Sequence, residues 1–257
     1  MIPKVIYQTY KSKKIPFVAE LAKNRMKKLN PDYEFKLYDD NDILNFLQSE
    51  FDERTLKAYK KLTIGAAKAD FFRYTILYKK GGIYLDLDAE ITENLDNLIK
   101  NREAVISRGG KGDYFIQWML VFNKKHPFLK KIIEDMILNL EEENFYSKDV
   151  LYTTGPHLYT KSINTFLKKE NISSYTDKEI NSYIEESGNN TIKNTIFYFI
   201  DYGKYAKCKI KYSWLMYIFK SHWRQEKLLG PYYLQVLYLF AFLMLSLVVF
   251  KLYTTKK

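Results

Sequence analysis

Cysteine is almost missing from this chain. Cys208 stands alone among 257 residues, which excludes an intrachain disulfide and suits a reducing compartment. Glycine and proline together number only 16, too few for long disordered tracts, so a globular protein is expected. No arginine-rich arm, zinc-finger spacing or aromatic RNA-binding signature occurs. A nucleic-acid partner is therefore not expected, although the net charge is +11. The lysines are dispersed in short pairs such as Lys13-Lys14, Lys27-Lys28 and Lys60-Lys61, a pattern that fits attraction to phosphates or anionic lipid. The start, Met1 to Tyr7, has too short an apolar stretch to read as a signal peptide. Internal repeats and a clear interdomain linker are also lacking.

What is present is apolar and aromatic. Hydrophobic residues make up 47% of the chain, with 23 Tyr and 17 Phe, enough for one full core, or one core plus an appendage. From Pro231 to Phe250 there are 20 residues without a charge, and at helical rise they cover roughly 30 Å, the thickness of bilayer hydrocarbon. Tyr232, Tyr233, Tyr238 and Tyr253 lie toward its ends, as in an aromatic belt. The expected organisation is a catalytic domain over 1–227, a single membrane-spanning helix over 231–250 and a tail over 251–257. Such a chain belongs in an endomembrane of ER or Golgi type, or in a viral or host membrane. Lys227 and Lys251 bracket the segment, so the positive-inside rule leaves its orientation open.

Along the chain, strand patterns at Lys4–Tyr10, Tyr33–Tyr38, Ile83–Leu87, Glu103–Ser107 and Phe115–Phe122 alternate with helical ones. The helical stretches are Pro16–Leu29, Asp40–Phe51, Arg54–Lys61, Ala66–Lys79, Pro127–Leu140 and one after Pro156. This predicts an α/β fold with a mainly parallel sheet. The helix over Ala66–Lys79 is expected to stop at Gly81-Gly82 in the left-handed conformation. The stretch from Ile172 to Tyr205 is polar and gives no clear pattern.

The carboxylates decide the chemistry. Asp86-Leu87-Asp88 closes the apolar run Gly82-Ile83-Tyr84-Leu85. With 14 Asp in the chain, chance alone gives about 0.8 Asp-x-Asp pairs. A second pair, Asp40-Asn41-Asp42, precedes Ile43, Leu44, Phe46 and Leu47 and reads as a helix N-terminus. Asp86 and Asp88 instead follow a buried strand, at the sheet edge where ligands bind in open α/β folds. Two hard carboxylates there suit Mn²⁺ or Mg²⁺ bridging to the diphosphate of a nucleotide sugar. Asp70 and Arg73, at i and i+3 on the preceding helix, share one face. They offer an acceptor and a fork of donors to sugar hydroxyls, or else form a structural ion pair. Thr154-Gly155-Pro156 reads as a turn before a helix with Pro at its first position. His222-Trp223 offers an imidazole and a stacking ring, or packs beside the apolar segment.

These blocks occur together in one order: Ile2-Pro-Lys-Val-Ile-Tyr-Gln-Thr-Tyr10, Asn30-Pro31-Asp-Tyr33, Tyr38-Asp-Asp40, Ala69-Asp-Phe-Phe-Arg-Tyr74 with Leu77-Tyr78, Gly81 to Asp88, Thr154-Gly-Pro156 and His222-Trp223. The pattern resembles the DXD-containing sugar-transferase family of the initiating alpha-mannosyltransferases and inositol-phosphoceramide mannosyltransferases. The central block is also similar to that of the glucosylating bacterial toxins. The resemblance implies a GT-A type, Rossmann-like sheet, mixed but mainly parallel and flanked by helices, and transfer of a sugar with retention. It implies that Asp88 is the direct metal ligand and that Asp86 contacts ribose or sugar and supports the metal. His222 would be a further ligand and, with Trp223, would close over the diphosphate. Asp70 and Arg73 would hold the donor sugar, with Tyr84 and Gly155 beside it. Gln8, Thr9 and Tyr10 would meet the base. Two departures stand out: Tyr10 replaces the usual Trp, and the closing motif reads Ser221-His222-Trp223-Arg224-Gln225-Glu226 where His-His-Trp and a further Ser-Trp are usual.

The expected activity is transfer of a hexose from GDP-mannose or a UDP-hexose to a membrane-associated glycolipid or glycoprotein. A catalytically inactive, membrane-tethered nucleotide-sugar-binding module is the alternative. Phosphatases of the haloacid-dehalogenase type also carry Asp-x-Asp after a strand. They usually place Thr or Val two residues past the second Asp, where this chain has Glu90.

Overall fold

A computed structural model describes residues 1–92, 94–99, 103–108, 114–142, 149–167 and 197–200. The sheet has six strands: β1 (Val5–Thr9), β2 (Glu34–Tyr38), β3 (Gly82–Leu85), β4 (Ala104–Arg108), β5 (Phe115–Phe122) and β6 (Phe197–Ile200). Their order across the sheet is β2-β1-β3-β5-β4-β6. The pairs β1–β2, β1–β3 and β4–β6 are parallel, and β3–β5 and β4–β5 are antiparallel. The sheet is thus mixed, because β5 runs against its neighbours. β6 lies inside the stretch that carried no clear sequence pattern.

Eight helices lie among the described residues: α1 (Phe17–Leu29), α2 (Asp40–Glu50), α3 (Glu53–Lys60), α4 (Gly65–Lys80), α5 (Leu95–Ile99), α6 (Pro127–Glu141), α7 (Val150–Thr153) and α8 (Pro156–Phe166). The short helices α5 and α7 carry too few residues to show a period and were not expected. The second Asp-x-Asp pair opens α2 as expected. Asp39 is its N-cap and forms a reciprocal capping box with Asp42, which satisfies amides that the first turn leaves orphaned.

One core cluster gathers Ile6, Met26, Ile83, Leu85, Ile116, Met119 and Val121 on one face of the sheet. Strand alternation then turns Tyr84 to the opposite face, toward α4. α4 is buried from Asp70 to Leu77, so it lacks the polar stripe of a surface helix. Its end corrects the expected left-handed stop. Gly81 sits at φ +66 and ψ −175, an extended mirror-image conformation, and Gly82 follows at φ +107. Both are open to glycine and strained for other residues. A Cβ on Gly82 would lie 2.8 Å from the Val5 carbonyl oxygen, so this glycine lets β3 close against β1.

β5 contains an irregularity that matters for the site. Ile116 and Met119 belong to the same core cluster, with Trp118 packed against it. Alternation therefore slips by one between Trp118 and Met119, and the pairing with β4 shifts register between Val105 and Ser107. The slip puts Gln117 on the α4 side of the sheet. No helix among the described residues is long and apolar enough to cross a membrane; the segment 231–250 lies outside the described residues.

Candidate donor-sugar and metal site

Because β1, β2 and β3 are mutually parallel, Thr9, Tyr38 and Leu85 end at one edge of the sheet. The order β2-β1-β3 makes the gap between β1 and β3 the point where the chain's winding reverses, the place where open α/β sheets take ligands. Asp86 and Asp88 stand just past the end of β3, two residues earlier than the strand was expected to stop. They sit in a turn closed by the Ala89 amide donating to the Asp86 carbonyl at 3.0 Å. The Asp86 amide donates to the Trp118 carbonyl at 2.8 Å, which ties this turn to β5. Asp86 and Asp88 are both partly exposed, whereas Leu87 between them is buried. Period-two alternation keeps Asp86 on the face of Tyr84, and the Tyr84 hydroxyl donates to Asp86 Oδ1 at 3.0 Å.

Arg73 is the hub of the site. Its guanidinium lies 3.2 Å from Asp70 Oδ1 and 3.1 Å from Asp86 Oδ1 through the same Nη2. It also donates through Nη1 to the Gln117 carbonyl and through Nε to the Ala69 carbonyl, and it rests 4.5 Å above the Tyr84 ring. The buried Asp70 carboxylate accepts from Gln117 Nε2 at 2.6 Å and from Thr154 Oγ1 at 2.9 Å. A buried ion pair persists only when its remaining hydrogen-bonding capacity is met, and these contacts meet it. Burial pushes the Asp70 pKa up to about 7, against the opposing pull of Arg73 and Thr154. Burial works against the Arg73 charge, but Asp86, Tyr84 and Asp70 outweigh it and raise its pKa. Tyr84 is held well above its ordinary value, first by burial, so its hydroxyl keeps the proton it donates to Asp86.

The structure therefore brings Asp70, Arg73, Tyr84 and Asp86 together, with Asp88 two residues on. Gln8 is buried, while Thr9 and Tyr10 are half-buried at the neighbouring strand end. Thr9 Oγ1 and the Tyr10 amide both bond the Tyr38 carbonyl, at 3.0 and 3.1 Å. Gly155 caps α8 from the buried side, with Pro156 at the first helical position as expected. A Cβ there would meet the Val150 carbonyl at 2.8 Å, so its smallness serves packing of α7 on α8. His222 and Trp223 lie outside the described residues. An open depression of about 340 Å³ lies on the β2 side of the edge, lined by Lys13, Lys36, Leu37, Tyr38, Asp42 and Asn45, and none of the expected site residues lines it.

Two members of this network were not expected as site residues. Thr154 was noted only within the Thr154-Gly155-Pro156 block, without a role of its own, and Gln117 not at all. The one sequence signal for Gln117 is an amide inside the otherwise apolar FIQWMLVF.

Among the described residues no three His, Cys, Asp or Glu converge as a complete metal cage. Asp86 and Asp88 do fit a divalent cation that completes its shell with phosphate oxygens and water, since Mg²⁺-like ions are commonly bound through one or two carboxylates plus substrate phosphates.

Residues 16–105 match the model of the glycosyltransferase sugar-binding region containing DXD motif. A glycosyltransferase of Acanthamoeba polyphaga mimivirus is 32% identical over 182 residues, covering 65% of this chain and 67% of that protein. The chain belongs to this DXD-motif glycosyltransferase family. Inositol phosphoceramide mannosyltransferase 3 of Schizosaccharomyces pombe is 34% identical over 155 residues, 60% of this chain and 43% of the relative. The initiation-specific alpha-1,6-mannosyltransferase of the same yeast is 31% identical over 196 residues, 65% of this chain and 49% of the relative. The DXD-family chain thus spans about half the length of these two yeast relatives. Among solved structures, the PaToxG glycosyltransferase superposes with a TM-score of 0.53 at 18% identity, over 75% of this chain and 77% of that one. The expected fold class is thereby met at the level of a mixed α/β sheet with flanking helices, as in a solved glycosyltransferase.

Proposed function

We propose that this chain is a metal-dependent, retaining glycosyltransferase that moves a hexose from a nucleoside diphosphate sugar to a membrane-associated glycolipid or glycoprotein. The observation that carries the reading is the Asp70–Arg73–Asp86 chain, set at the winding reversal beside the end of β1. Arg73 and Tyr84 hold one oxygen of Asp86, which orients that carboxylate; Asp88 would be the principal ligand of the metal. A divalent cation there would neutralise charge gathering on the departing nucleoside diphosphate. Gln8, Thr9 and Tyr10 would lie toward the base, and Asp70 and Arg73 would hold the donor sugar. For retention, the acceptor hydroxyl attacks from the face the diphosphate leaves. The bond from the sugar's anomeric carbon to the phosphate oxygen breaks, the new glycosidic bond forms, and a phosphate oxygen takes the acceptor proton. No protein base is required.

A phosphatase would use Asp86 as a nucleophile, but Oδ1 of that carboxylate is already held by a guanidinium and a phenol, a poor arrangement for attack. The mannosyl names of the relatives support GDP-mannose as donor and an inositol-bearing sphingolipid as acceptor, with residues 231–250 as the membrane anchor. The test is sugar release and transfer measured across a panel of GDP- and UDP-hexoses with Mn²⁺ or Mg²⁺, for wild type and Asp88→Asn. Turnover of one donor that chelator abolishes and Asp88→Asn reduces at least a hundredfold is expected. Undiminished metal-dependent transfer by Asp88→Asn overturns the assignment, and donor binding without turnover by wild type reduces the chain to a binding module.

A further inference from the structure

We infer that Gln117 is a positioning residue for the donor-sugar pocket, acting through Asp70 and Arg73; this rests on the transferase reading above. Gln117 reaches three residues of α4 at once. Its Nε2 donates to Asp70 Oδ1 at 2.6 Å, its Oε1 accepts from the Tyr74 hydroxyl, and its carbonyl accepts from Arg73 Nη1. Arg73 Nη2 donates to Asp70 Oδ1, so that oxygen accepts; the amide therefore turns its NH₂ to Asp70 and its oxygen to the Tyr74 hydroxyl. Asp70 Oδ1 is shared between Gln117 and Arg73 Nη2, and Oδ2 is fixed by Thr154 Oγ1. The carboxylate cannot rotate, so Arg73 Nη2 stays midway between Asp70 and Asp86.

Stability alone does not account for this amide. An apolar side chain of similar length suits a half-buried strand position at least as well. In a Gln117→Met variant the single Tyr74 hydroxyl proton turns to the Thr154 carbonyl, 3.2 Å away, and Asp70 keeps Arg73 and Thr154. That variant is therefore expected to fold. It loses the Nε2 bond to Asp70 Oδ1 and the Oε1 bond from Tyr74, so Oδ1 is left with Arg73 alone and the shared position of Arg73 Nη2 loosens. The β-bulge between Trp118 and Met119 is what aims Gln117 at α4, so the strand irregularity and the polar residue form one device.

The experiment compares wild type, Gln117→Met and the isosteric Gln117→Glu, whose carboxylate opposes Asp70. Calorimetry with Mn²⁺ measures binding of the intact nucleotide sugar and of the bare nucleoside diphosphate, and kcat and KM are measured for transfer. Expected for Gln117→Met are a tenfold or greater loss in kcat/KM and in nucleotide-sugar affinity, with bare diphosphate binding within twofold of wild type. Gln117→Glu should lose more. In an Asp70→Asn background the Gln117→Met effect should shrink to within twofold, because the two act in series. Equal loss of sugar-nucleotide and diphosphate binding, or transfer by Gln117→Met within twofold of an active wild type, overturns the inference. A wild type that turns over no donor overturns the transferase reading, and the inference falls with it.

Discussion

Replacing Gly82 by Ala tests how the fold sets the candidate metal site. The residue sits at φ +107, where a side chain costs of order 1–3 kcal/mol in backbone strain. Its new Cβ would lie 2.8 Å from the Val5 carbonyl oxygen and 3.2 Å from Tyr7 Cε2. The first contact is with backbone of the neighbouring strand and cannot be relieved by a rotamer change. Overpacking of this kind costs another ~1–3 kcal/mol. The sum, about 2–6 kcal/mol, is a large part of the ~5–15 kcal/mol by which domains are stable. At a urea dependence of ~2–3 kcal/mol/M the midpoint should fall by about 1–3 M. Gly65→Ala is the control: nothing lies within 4 Å of its Cβ, so the midpoint should stay or rise slightly. If the variant folds at all, β3 must move off β1, and the apparent affinity for Mn²⁺ should weaken as Asp86 and Asp88 shift from Thr9. Equal urea midpoints for the two alanine variants would refute the reasoning.

Three further outcomes follow from the same geometry. Asp70 binds its proton more tightly when folded, with a pKa up to about 7 against an ordinary 3.8, so its contribution to stability is full below pH ~4 and lost by pH ~7. Melting temperatures of wild type should therefore fall across that window relative to Asp70→Asn, and parallel slopes would contradict it. Arg25 grips Glu90 through two bonds, two residues past Asp88. Arg25→Ala should change stability by about 1 kcal/mol or less, as for an exposed pair, yet raise the Mn²⁺ concentration needed for half-maximal turnover severalfold. Asp39→Ala removes a capping box and should lower stability by about 1 kcal/mol with kcat unchanged, read from denaturant midpoints and steady-state rates.

Much of the site could be read from local pattern. Asp70 and Arg73 share a helix face because 3 residues nearly complete a turn, and Tyr84 and Asp86 share a strand face because the period is two. The glycine pair announced the helix stop, although the conformation at Gly81 is extended rather than left-handed helical. Long-range consequences were hidden. Counting by twos from Leu120 puts Gln117 on the wrong face, and only the slip at Trp118–Met119 corrects it. The antiparallel course of β5 is set by its partners and leaves no trace in FIQWMLVF. Tyr84, expected to meet substrate, is buried and works from beneath, under Arg73 and bonded to Asp86.

The Arg73 hub also dictates when activity can emerge during refolding. Its companions are far apart in sequence: Asp70 and Thr154 are separated by 84 positions and Arg73 and Gln117 by 44. Closing such long loops is entropically slow, whereas α4 itself can form locally. A refolding chain should regain its far-ultraviolet helical signal early and its turnover late, once the segments carrying Gln117 and Thr154 have docked. If the chain is the transferase proposed above, its turnover reports that assembly is finished.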